Sequence, residues 1–92
     1  MWKRKPREIP ADRLLEPGEI VRVRTYSGSR ADEEPRAIVV GGRELAVEAV
    51  EWRALVESPR GHARVFVVRA AGKRVRLALR DDAWEIERIL PG

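Results

Sequence analysis

The 92-residue chain contains no cysteine, no asparagine and no glutamine, and its single histidine is His62. Without cysteine it forms neither a disulfide framework nor a thiolate metal site. One histidine and scattered carboxylates do not give the spacing of a metal site. No nucleophile elbow and no glycine-rich phosphate loop accompanies the serines. We therefore expect a protein that is not an enzyme and that holds no cofactor and no metal.

Long apolar runs are also missing, so no segment is long enough to span a membrane. The N-terminal residues 1–6 are basic, but no apolar stretch follows them, which argues against a secretory signal. From these absences we expect a cytoplasmic protein that does not associate with membranes.

Charge is abundant and unevenly placed. Of all residues, 43% are hydrophobic and 37% are charged, which is typical of a folded domain. The net charge is +4, and residues 1–13 carry three of these positive charges because they hold five basic residues against two acidic ones. Sixteen of the nineteen basic residues are arginine. A GC-rich genome or a hot habitat explains that bias as well as a nucleic-acid partner does.

Two alternating segments joined by a short glycine-containing loop predict a central β-hairpin over residues 62–80. In its second arm Val75, Leu77 and Leu79 share one face, and arginines occupy most of the other. The first arm is apolar at both parities in its middle, which predicts a strand covered on both faces.

The other alternating segments predict strands that begin near Glu19, Arg36, Arg43 and Ala83. The alternation slips at residues 49–50, which predicts a β-bulge that bends the third strand. We therefore predict an all-β fold, either a small, strongly bent antiparallel meander or a half-open SH3-like barrel of five to six strands. Its predicted core contains Val23, Val47, Val65, Val67, Val75, Leu77, Trp84 and Ile86.

The predicted domain covers residues 19–92, and residues 1–18 are predicted to be a flexible basic tail. Three prolines interrupt this tail, which leaves room for one helical turn over residues 11–16. Leu14 and Leu15 of that turn are expected to dock on the core.

Several short motifs resemble a group of small, uncharacterised bacterial proteins. These motifs are the box Tyr26-Ser27-Gly28-Ser29-Arg30, then Glu34-Pro35, Gly41-Gly42-Arg43-Glu44 with Val47, Trp52-Arg53 and the closing Trp84. The resemblance covers about residues 20–88. It implies a small β domain of unknown function with no catalytic residues to carry over.

Arginines on the polar faces of two predicted strands suggest a nucleic-acid site. Together with one tyrosine and the basic tail, they would contact the nucleic-acid backbone without sequence preference. The candidate residues are Arg22, Arg24, Arg74, Arg76, Arg80, Tyr26, Lys3, Arg4, Lys5 and Arg7.

Glutamates on neighbouring strands offer a different interpretation of the same arginines. Glu44, Glu48, Glu85 and Glu87 have the polar parity, so cross-strand Arg–Glu pairs could finish an ordinary solvated face. The alternative function is then a protein-interaction domain that uses an exposed strand edge or the loop 27–35. Unpaired arginines lying side by side would favour nucleic acid, and arginines each paired with a glutamate would favour protein interaction.

Overall fold

The computed structural model describes residues 10–25 and 34–91 and consists of six β-strands preceded by a 3₁₀ turn, Ala11–Leu14. The strands are β1 (Ile20–Thr25), β2 (Pro35–Val40), β3 (Arg43–Ser58), β4 (Gly61–Ala70), β5 (Lys73–Arg80) and β6 (Ala83–Leu90).

Each strand pairs antiparallel with the next, and β1 pairs with β6 to close a barrel. The all-β prediction with six antiparallel strands is confirmed, and the barrel is closed where a half-open one was an option. Closure is short, because the β1–β6 ladder contains only the pairs Ile20–Glu85 and Val21–Trp84. Two backbone hydrogen bonds extend it, from Gly18 N to Ile86 O (2.6 Å) and from Ile86 N to Glu19 O (2.9 Å).

Two-residue turns connect most of the strands. Gly41 and Gly42 have φ values of 58° and 74°, as a primed hairpin turn requires. Asp81 and Asp82 adopt the same region at 48° and 64°, which aspartate tolerates better than most residues. These two-residue turns join β2 directly to β3, and β5 directly to β6, as tight hairpins.

The main core fills the inside of the barrel. Leu77, Ile86, Val75 and Ile38 are fully buried there, and Phe66 lies against Trp84 with ring centroids 5.5 Å apart. Of the predicted core, Val65, Val75, Leu77, Trp84 and Ile86 are buried. Val23 and Val47 are half-buried and pack against the main core, and Val67 is half-buried on the outer face of β4.

A second, smaller cluster lies on the outer face of the sheet. It consists of Ala63, Val65 and Ala78, with Val56 packed against them. Val65 is 1% exposed, while its chain neighbour Phe66 is 4% exposed on the opposite face. The prediction that this strand is covered on both faces is confirmed.

The segment before β1 packs against the main core. The predicted helical turn is present as the 3₁₀ turn, Leu15 is 4% exposed in the main core, and Leu14 packs against that core. Leu14 also packs close to Gly41, since a Cβ there would lie 3.1 Å from Leu14 Cδ2. The described residues 10–18 thus pack on the domain. The tail before residue 10 lies outside the described residues.

Bulges bend the sheet where the alternation slips. The β3–β4 register shifts between Val47 and Ala49 and again between Val50 and Trp52, on either side of the predicted position. The β5–β6 register shifts at Arg76–Leu77. In these two ladders the register skips Glu48, Glu51 and Glu87. The β1–β2 register also shifts, between Arg24 and Thr25. An extra residue increases local bend and twist, which a small barrel needs in order to close.

Replacing Leu77 by alanine should lower the free energy of unfolding by about 2–4 kcal/mol, because the change removes apolar contacts and leaves a cavity in the main core. Chemical denaturation measures the change. Leu55→Ala is the matched control, since Leu55 is 68% exposed, and should cost no more than about 0.5 kcal/mol. Equal costs for the two variants would contradict the assigned core.

Candidate protein-interaction surface

The strand β3 is longer than either neighbour, with 16 residues against six in β2 and ten in β4. It pairs with β2 only from Arg43 to Ala46, and with β4 from Val47 to Ser58. From Trp52 to Ser58 its ladder with β4 runs without a register shift. We call the part of the β3–β4 hairpin from Trp52 to Ala63 the arm.

The outer edge of the arm has no partner strand among the residues that the structure describes. The first residue of β2, Pro35, has no N–H to donate to a ladder. The β2–β3 ladder begins only at the pair Ala37–Ala46. Beyond that point, alternate N–H and C=O groups of β3 face away from β4, and such an edge is a template for another strand.

Exposed apolar side chains lie on both faces of the arm. Leu55 is 68% exposed and sits opposite Arg64 on one face. Trp52 is 46% exposed on the other face, where Arg76 Cζ lies 5.8 Å from the centroid of its ring. Large apolar side chains beside an open edge supply the contacts that a docked strand needs in addition to its backbone hydrogen bonds.

Charged side chains flank Leu55 on the same face of β3. Arg53 forms an ion pair with Glu34, and the Glu57 Oε1 atom lies 3.4 Å from Nδ1 of His62. Arg53, Glu57 and His62 keep 61%, 79% and 66% of their side-chain surface exposed. The edge of the arm therefore offers one apolar position between a cation and an anion.

Glu51, the extra residue of the second β3 bulge, holds two of the arginines. Its carboxylate accepts hydrogen bonds from Arg74 Nε (2.6 Å) and from Arg69 Nε (2.9 Å). Arg74 also donates to the Pro91 carbonyl at 3.2 Å. The hydrogen bonds from Arg74 and Arg69 hold the pKa of Glu51 below its ordinary value.

Glu87, the extra residue of the β6 bulge, makes the equivalent arrangement with Arg76 (3.0 Å) and Arg80 (2.9 Å). Burial raises the pKa of Glu87, but the hydrogen bonds from Arg80 and Arg76 outweigh it, so the net shift is downward. Glu85 lies 3.7 Å from Arg80 and 3.8 Å from Arg60. Arginines and glutamates therefore alternate across this outer face.

The arginines of β1 lie apart from those of β5, since β6 runs between the two strands. Arg24 pairs with Glu44 at 2.8 Å. Arg22 forms no ion pair with any described residue. It lines a groove of about 670 Å³ beside the short β1–β6 closure, together with Arg24, Arg43, Glu44, Asp82 and Trp84 among others.

The predicted nucleic-acid residues therefore do not form one strip in the described chain. Arg24, Arg74, Arg76 and Arg80 each pair with a glutamate. The remaining candidates, Tyr26 and the tail residues Lys3, Arg4, Lys5 and Arg7, lie outside the described residues, as does the loop from residue 27 to residue 33.

Sequence reasoning proposed an exposed edge without locating it. The available signal was the length of β3, since no proline or glycine interrupts residues 43–58. The preceding strand, β2, is only six residues long, because it begins at Pro35 and is followed by Gly41. The sequence also did not predict that Glu51 and Glu87 each accept hydrogen bonds from two arginines. For Glu51, the slip in alternation just before it was the only signal.

Comparison with known proteins gave no match to a protein-family model, to a curated protein or to a solved structure. The resemblance to the Tyr-Ser-Gly group therefore stays a prediction. Within residues 10–25 and 34–91, no helix has the length and apolar character to cross a membrane. The same part of the chain holds no group of three or more metal-ligating side chains.

Replacing Glu87 by glutamine should destabilise the protein at neutral pH by about 1–3 kcal/mol, because two partly buried arginines lose a charged acceptor. The folded-state pKa of Glu87 is lowered, so its contribution is present above its unfolded pKa of about 4.3 and is lost as pH falls through the folded value. Denaturant midpoints measured from pH 7 to pH 2 should therefore converge for wild type and Glu87→Gln in acid. If the midpoints of the two proteins differ by the same amount at every pH, the assigned role of the Glu87 carboxylate is contradicted.

Proposed function

We propose that this protein is a non-catalytic protein-interaction module that binds its partner through the open edge of the arm. The observation that carries the proposal is the segment Trp52–Ser58, which is held in register by β4 on one side and has no partner among the described residues on the other. An extended segment of the partner would add to β3 as a further strand.

Backbone hydrogen bonds would give such a complex its affinity, and side chains beside the edge would give it selectivity. Leu55 would contact an apolar side chain of the added strand, while Arg53 and Glu57 would select charges on either side of it. Little reorganisation is required, because the ladder with β4 already holds β3 extended.

The ion pairs favour this proposal over binding of nucleic acid through an arginine strip. A phosphate approaching Arg74 or Arg76 would have to displace a carboxylate that already accepts a hydrogen bond at 2.6 Å or 3.0 Å. We predicted that arginines each paired with a glutamate would favour a protein-interaction domain. Arg24, Arg74, Arg76 and Arg80 have that arrangement.

We keep non-specific binding of the nucleic-acid backbone as a second candidate function because of the groove beside β1. Arg22 projects there without an ion-pair partner among the described residues, and Arg24 and Arg43 line the same groove. Glu44 and Asp82 also line it, so its charge is only weakly positive.

A photo-crosslinking amino acid at position 55 should form adducts with another protein chain in the cells that produce this protein. The same amino acid at position 20 is the matched control, because Ile20 is 64% exposed and lies outside the arm. Gel mobility and mass spectrometry of the adducts read out the result. Adducts at neither position, or equally at both, would contradict binding through the arm.

The second candidate predicts that binding to mixed-sequence RNA or DNA weakens with salt, with a log–log slope of about −0.7 to −0.9 per phosphate neutralised. Arg22→Ala should flatten that slope by about one phosphate. Arg88→Ala removes an exposed arginine of β6 that does not line the groove, and it should leave the slope unchanged. The absence of measurable binding at low salt would remove this candidate.

A further inference from the structure

We infer that the partner of the arm is a second copy of this chain, joined by antiparallel pairing of the two β3 edges around a two-fold axis at Leu55. This inference rests on the proposed function, since it uses the same open edge. Its basis is that the segment Trp52–Ser58 complements itself in length, in charge and in its apolar surface.

Symmetry restricts the possible registers. A two-fold axis perpendicular to the joined sheets leaves each side chain on the same face of the sheet. Residues directly opposite each other in an antiparallel pair share a face, whereas adjacent residues of one strand do not. The axis must therefore pass through a residue position and not between two residues. The regular segment runs from Trp52 to Ser58, and the bulge at Glu51 ends it on one side. Leu55 is its central residue. Only an axis at Leu55 overlaps the whole segment with its copy.

Charge selects the same register. With Leu55 opposite its own copy, each Arg53 lies opposite Glu57 of the second copy, and symmetry makes this pair twice. An axis one residue earlier, at Ala54, would place Glu51 opposite Glu57 of the copy. An axis at Arg53 would place that arginine opposite itself. Like charges directly opposite each other destabilise a ladder, so both of these registers are disfavoured. An axis one residue later, at Val56, would place Glu57 opposite Leu55 of the copy and lose the pair with Arg53.

The apolar surface is also continuous across the proposed junction. Val56 packs against the outer cluster of Ala63, Val65 and Ala78, and that cluster ends at the open edge of β3. In the proposed register Ala54 and Val56 lie opposite Val56 and Ala54 of the second copy. The two outer clusters then join into one apolar surface, while the two Leu55 side chains meet on the opposite face.

Existing contacts of the charged residues are compatible with the dimer. Arg53 pairs with Glu34 through Nη1, and its guanidinium has further N–H donors for a second carboxylate. Glu57 is 79% exposed and lies 3.4 Å from His62 through one oxygen, so its other oxygen can accept a bond from Arg53 of the copy.

Sedimentation equilibrium between about 1 μM and about 1 mM, the range of weak complexes, tests the proposal. The mass should rise with concentration from that of one chain, 10.5 kDa, towards twice that value. Leu55→Arg should weaken association at least about tenfold, because it puts two cations on the axis. Ile20→Arg is the control for exposure, and it should associate like wild type. A chain that stays at the mass of a monomer throughout would overturn the inference.

Charge reversal tests the register. Arg53→Glu and Glu57→Arg should each weaken self-association about tenfold, since each replaces two attractive pairs by two repulsive ones. The double variant should recover wild-type association. Mixing the two single variants should likewise restore dimers, because both cross-strand pairs are then complementary, and this result also shows that each single variant is folded. Failure of both rescues would overturn the Leu55 register.

The crosslinking experiment separates this inference from the proposed function. Adducts from position 55 at twice the mass of the chain support both. Adducts only with a protein of another mass overturn self-pairing while the proposed function stands. Adducts at neither position contradict the proposed function itself.

Discussion

Glu51 lies beyond the last β2–β3 pair, in the part of β3 that pairs with β4 alone, and its carboxylate accepts hydrogen bonds from Arg69 on β4 and Arg74 on β5. It reaches both because it is the extra residue of a bulge and has no cross-strand partner of its own. Removing that carboxylate would leave two neighbouring cations facing each other. One residue that is an irregularity of the ladder therefore links three strands at the start of the arm.

Glu87 repeats the arrangement on β6, where another bulge aims a carboxylate between Arg76 and Arg80. Two bulged glutamates thus engage four arginines, and Glu44 engages Arg24. Each of these five arginines therefore already has a carboxylate partner, and Arg80 has a second one in Glu85. With these arginines paired, the proposed binding surface is the open edge of β3 with its exposed Leu55 side chain.

Local patterns predicted most of the fold because strand alternation and glycine turns act over a few residues. The hairpin around Gly72, the turn at Gly41-Gly42 and the two-sided burial of β4 all followed from such patterns. The alanines Ala63 and Ala78 were not predicted as core, since a small side chain carries little apolar signal in a sequence. The partners of the arginines and the point where β2 leaves β3 depend on strand tilt and on bulges. These are properties of the closed barrel, and alternation along one strand does not contain them.

Amide hydrogen exchange along β3, followed by NMR at two protein concentrations, tests most directly the claim that the arm has an open edge that binds a further strand. In dilute protein, every second amide from Trp52 to Ser58 should be protected by its bond to β4, and the amides between them should exchange rapidly. Concentrated protein should protect the second set as well. Protection of both sets at every concentration would show that the edge is already covered within one chain, and that result would contradict the account.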